Sequence, residues 1–114
     1  MSAQRARVTE VHRAPDRPAI RVQAGERVTL GDRDTEWPDF VWTALASGLG
    51  GWVPTALFDA ERGQASALQD YDTKELDADP GDELVLHREL AGWWWAENAR
   101  GESGWIPTRK LELL

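Results

Sequence analysis

Apolar and polar residues alternate over short runs along the whole chain, as in "RVTL" (Arg27–Leu30), "FVWTAL" (Phe40–Leu45) and "ELVL" (Glu83–Leu86). A period of two puts successive side chains on opposite faces of an extended backbone, and Gly or Pro punctuates the gaps, so the pattern predicts small antiparallel strands. No stretch carries the period of an amphipathic helix. In the second half, strands are expected near Ala67–Tyr71, Glu83–Arg88, Trp93–Asn98, Ser103–Ile106 and Leu111–Leu113, with "NARGES" as a hairpin turn. Pro107 cannot donate to a ladder, so it is expected to end its strand and begin one tight helical turn, "PTRK". Strands this short are unsuited to a broad sandwich but can close into a small barrel, which hides most of its edges.

The pattern also repeats. "GGWVPTAL" (Gly50–Leu57) matches "SGWIPTRKL" (Ser103–Leu111), and the same shift pairs Phe40, Trp42 and Trp52 with Trp93, Trp95 and Trp105. Upstream, "IRVQAGERVTL" (Ile20–Leu30) matches "LDADPGDELVL" (Leu76–Leu86). Internal repetition at such a spacing indicates two copies of one structural unit. The expected organisation is all-β, with two tandem five-stranded barrels over residues 5–58 and 66–114. Residues 59–65, within the small and charged stretch "DAERGQAS", are read as the linker.

Composition narrows the function. The chain has 114 residues, 41% of them hydrophobic, a globular proportion that allows two very small units at most. It contains no cysteine, which excludes disulfides, thiolate metal sites and cysteine nucleophiles and suits a reducing compartment. The opening "MSAQRARVTEVHRAPDRP" has no apolar run of the length a leader or membrane span needs, so a cytoplasmic location is expected. A formal charge of -7 argues against nucleic acid and anionic membranes as partners, because binding phosphate polymers depends on clustered Lys and Arg. The excess is uneven, with 11 acidic and 5 basic residues after position 64 against 9 and 8 before it.

Four ordered signals in the second copy resemble the Src-homology-3 (SH3) family. They are "ALQDY" (Ala67–Tyr71), the acidic "ELDADPGD", the Trp93–Trp94 pair before Ala96, and "GWIP" (Gly104–Pro107). The first copy is similar to a divergent bacterial variant through "RPAIRVQAGERVTLG", "EWPDFVW" and "GGWVP", without a recognisable A-L-x-D-Y segment. The resemblance implies a non-catalytic, adaptor-like module that binds a peptide of a partner protein, possibly proline-rich, in a shallow aromatic groove. It places Tyr71, Trp93 and Pro107 in that groove and makes Glu75, Asp77 and Asp79 an acidic loop for a basic ligand side chain. In the first copy the matching slots are Phe40 and Pro54. Two further groove positions that are tyrosine in typical members are Gln69 and Lys110 here, which removes apolar floor and adds a positive charge.

Three tryptophans in succession cannot all face a core. Trp93 is expected outward beside Tyr71, with Trp94 pointing the opposite way. Trp42 and Trp95 either cover their barrels or meet another surface, and Trp37, before a proline, is either a ligand contact or a lid. His12 and His87 are read as surface residues, and no catalytic residue, metal site or cofactor is expected. The other functional reading is a structural or assembly role, in which packing between barrels or between chains uses up the aromatic surface and no peptide binds. The sequence leaves the oligomeric state open, with a monomer slightly favoured.

Overall fold

The structure is a computed structural model that describes residues 4–114; the first three residues of the stretch read for a leader lie outside the described residues. It is all-β. The strands are β1 (Gln4–Val8), β2 (Arg21–Val22), β3 (Arg27–Arg33), β4 (Phe40–Ala44), β5 (Gly50–Pro54), β6 (Gly63–Ser66), β7 (Tyr71–Asp72), β8 (Glu83–Leu90), β9 (Trp93–Glu97), β10 (Ser103–Pro107) and β11 (Leu111–Leu113). Single 3-10 turns occupy Thr55–Leu57 and Thr108–Lys110, each directly after the proline that ends a strand. Both follow from proline's missing N–H.

The chain divides elsewhere than its repeats suggest. One compact unit is the continuous segment Pro18–Thr73; the other is split, joining Met1–Arg17 to Lys74–Leu114. In the split unit the sheet order is β10-β9-β8-β1-β11, every pairing antiparallel, and among the described residues no ladder joins β10 to β11. The continuous unit holds a four-stranded sheet, β5-β4-β3-β6, and the two-stranded pair β2-β7. The boundary expected at 59–65 is therefore not a linker in the structure. Gly63–Ser66 forms β6 on the edge of β3, because Ala65 is buried and Gln64 Nε2 donates to Thr29 Oγ1 at 2.8 Å.

The two first strands stand in matching places. In the split unit Arg5, Ala6 and Arg7 oppose Val85, Leu84 and Glu83; in the continuous unit Gln64, Ala65 and Ser66 oppose Thr29, Val28 and Arg27. Val8 then opposes Leu111, as Ala67 bridges Phe58. The N–H of Val8 donates to the carbonyl of Asp82, as that of Ala67 donates to the carbonyl of Glu26. Residues 4–8 thus pair with strands that follow Thr73, residues 63–66 pair with β3, and "ALQDY" lies in the unit built from the residues before it.

The core of the split unit is Ala6, Val8, Leu76, Ala78, Leu84, Leu86, Ala96 and Ile106, with Trp94 and Leu111 packed against it. Trp94 faces inward as expected, two residues before buried Ala96 and opposite Ile106. The glycine of "GWIP" is required by a close approach: a Cβ on Gly104 would lie 2.8 Å from the backbone of Glu75 and Leu76. The β8–β9 turn is Ala91–Gly92, both at positive φ (52° and 86°), the geometry a two-residue hairpin needs. Alanine tolerates it poorly, because its Cβ crowds the carbonyl oxygen.

Three outcomes follow from this architecture. Ala91→Asn should raise stability by about 1 kcal/mol, since asparagine accepts the left-handed conformation. Gly104→Ala should lower it by about 1–3 kcal/mol through overpacking. Both are read from urea midpoints at constant m-value. Residues 18–73 expressed alone should unfold cooperatively by circular dichroism; a fragment of 74–114, which lacks both first strands, should show no cooperative transition.

Candidate functional site

Strand alternation presents Trp93 and Trp95 on the face of β9 opposite the core, so Trp93 is part-exposed, with its indole Nε1 buried. Register places Trp93 opposite Pro107 and Trp95 opposite Trp105, whose rings meet edge to face at 5.4 Å. Pro107 is fully buried and forms a floor rather than a rim.

The ring beside Trp93 is that of His12. Its centroid lies 5.5 Å from the indole, at 77° to it. His12 is only 7% exposed, because its backbone bridges Ala78 in an antiparallel pair and carries the side chain under the loop that follows β7. Its Nε2 lies 2.8 Å from Glu75 Oε1 and its Nδ1 3.0 Å from Lys110 Nζ. An ammonium group only donates, so Nδ1 carries the lone pair and the Nε2 proton goes to Glu75. Lys110 also donates to the Val11 carbonyl at 3.1 Å, which pins its charge beside His12.

The acidic loop is occupied from within. While His12 holds Glu75, the N–H of Ala14 donates to Asp77 Oδ1 at 2.7 Å, and Arg13 Nη2 bonds Asp79. Arg13 Nη1 further donates to the carbonyls of His12 and Ala78, both at 2.9 Å. The hydrogen bond to Asp79 holds the Arg13 guanidinium above its ordinary pKa. Residues 12–14 therefore engage all three carboxylates that the sequence assigns to a ligand.

In the continuous unit the same register places Phe40 opposite Pro54 and Trp42 opposite Trp52. Trp37 stands edge-on to Phe40 at 6.5 Å, and the Trp42 and Trp52 rings meet at 5.2 Å. Tyr71 belongs here. It opposes Val22, as His12 opposes Ala78, and is 8% exposed. Opposite charges are exchanged at the neighbouring position: Arg21 Nε bonds Asp72 Oδ2 at 3.2 Å, where the split unit has Arg13 on Asp79.

The sequence-named residues thus separate into two sets. Trp93, Pro107, Glu75, Asp77 and Asp79 lie in the split unit, and Tyr71, Phe40 and Pro54 in the continuous one. The structure sets the His12 ring against Trp93, within the split unit, and pairs Tyr71 with Val22 in the continuous one. His12 was also expected at the surface and is buried; His87 is exposed, 3.3 Å from Glu97. The signal for His12 was present: "ARVTEVH" spaces Ala6, Val8 and His12 as "ASALQDY" spaces Ala65, Ala67 and Tyr71. Among the described residues no cluster of three or more His, Asp or Glu side chains is placed to hold a metal ion.

Residues 66–108 match the family model of the SH3 domain. That segment begins in the continuous unit and crosses into the split unit after Thr73. No curated protein and no solved structure matches the chain. SH3 domains are protein-interaction modules, generally non-catalytic, that bind proline-rich peptides.

Proposed function

We propose that the chain is a non-catalytic peptide-binding module of two SH3-like barrels, acting in the cytoplasm on a partner protein with a proline-rich segment. The observation that carries this is Trp93, turned away from the core over Pro107 and edge-on to His12. A polyproline-II segment is already ordered, so its docking costs little entropy, and flat aromatic faces bury its rings. The first groove is His12, Trp93 and Pro107. The second is Tyr71, Phe40 and Pro54, and its phenol comes from the strand that the sequence alone allots to the other copy.

The acidic loop refines the ligand. Asp77 and Asp79 already hold Ala14 and Arg13, so a basic side chain of a ligand competes with Arg13 for Asp79 instead of meeting a free carboxylate. Selectivity at this groove rests mainly on apolar contact.

Calorimetric titration of the full chain with a proline-rich peptide containing one arginine should give saturable binding. Trp93→Ala should weaken it at least about tenfold while leaving the far-ultraviolet spectrum unchanged, as removal of a central aromatic anchor does. Binding that is absent in the wild type, or unchanged in the variant, would refute the reading in favour of a purely structural surface. Arg13→Ala should leave the thermal midpoint nearly unchanged and strengthen binding of the arginine peptide, but not of its alanine counterpart.

A further inference from the structure

We infer that charge on the first strand decides which unit that strand completes, and thereby which aromatic side chain enters which groove. The two first strands are geometrically interchangeable. Ala6 and Ala65, like Val8 and Ala67, fill equivalent inward positions, and the backbone hydrogen bonds of the two strands correspond. The family match over residues 66–108 also runs contiguously through "ALQDY" into the body that follows it. A chain closed without exchange would therefore satisfy the same apolar positions. Of these inward positions only Val8 against Ala67 differs in size; the outward-facing residues separate the two closures by charge.

The segment at 4–13 is basic, and the body it completes is acidic. Arg7 stands between Glu83 and Glu112 in register and lies 3.9 Å from the Glu112 carboxylate. Arg5 reaches Glu83 at 3.4 Å, and Arg13 bonds Asp79 beside Asp77. The segment at 63–72 offers Gln64, Ser66 and Asp72 at those positions, and its body answers with Thr29, Arg27 and Arg21: Gln64 bonds Thr29, Arg27 Nη1 donates to Ser66 Oγ, and Arg21 pairs with Asp72.

Closure without exchange would invert this. Arg7 would face Arg27, Arg13 would meet Arg21, and Asp72 would enter the loop of Asp77 and Asp79. Each exposed pair is weak by itself. Like charges directly opposite across a ladder are unfavourable, however, and several penalties acting on one choice give discrimination that no single pair provides. By this choice His12 stands beside Trp93.

The test uses the full chain and backbone nuclear Overhauser contacts, which distinguish the closures without altering the core. The wild type should show Ala6 against Leu84 and Ala65 against Val28. In the variant Arg5→Glu, Arg7→Glu, Arg13→Glu the population with Ala65 against Leu84 should rise at least about tenfold. Adding Glu83→Arg, Glu112→Arg and Asp79→Arg should restore Ala6 against Leu84. If the first variant unfolds the split unit without populating Ala65 against Leu84, the charges stabilise the strand without choosing its partner, and the inference fails. It is overturned if the first variant keeps the wild-type contacts at full population, or if the compensated chain fails to regain them.

Discussion

The pairing of β1 with β8 on one side and β11 on the other is the constraint on which the split unit depends. Without it, β8 and β11 would expose ladder edges, and Leu84 and Leu86 would lose Ala6 and Val8 as neighbours. A unit of this size has little surplus stability, so the strand that fills the gap is a condition of folding. Its chain neighbours are carried along. Residues 12–14 are laid against the acidic loop because residues 4–8 are fixed in the sheet.

The aromatic face of β9 inherits that dependence. Trp93 owes its orientation to strand alternation within "WWWAE", where Trp94 and Ala96 are drawn into the core and leave Trp93 and Trp95 on the opposite side. The side chain it meets is set by the distant first strand, and so is the state of the acidic loop. The aromatic face of the split unit therefore combines an imidazole fixed between a carboxylate and an ammonium with an indole opposite a buried proline. The continuous unit pairs Tyr71 with Val22 and Phe40 with Pro54, and next to Tyr71 the charges are reversed, Arg21 answering Asp72. Two copies of one pattern thus become two chemically different surfaces.

The repeated G-W-apolar-P motif has a physical basis in both units. Gly104 lies against the backbone of Glu75 and Leu76, and a Cβ on Gly51 would meet the Ile20 side chain at 3.1 Å. The tryptophan that follows faces its cross-strand partner, the apolar residue is fully buried, and the proline ends the strand in a 3-10 turn. One short string thereby fixes a close approach, a ring pair, a core residue and a chain reversal.

Local features of this kind were legible in the sequence because they follow from short-range rules: period-two alternation, the missing N–H of proline, and the opposite directions of neighbouring tryptophans. The strands from Glu83 onward, the turn after Pro107 and the inward Trp94 all belong to this class. What the tertiary structure decided was the partner of each first strand. Ala6 and Val8 can fill the same inward positions as Ala65 and Ala67, so apolar pattern alone leaves the pairing undetermined, and contiguity favours the wrong one. The outcome depends on residues far apart in the chain, Arg7 with Glu83 and Glu112, Arg13 with Asp79, and Asp72 with Arg21, whose charges meet only once a particular closure has brought them face to face.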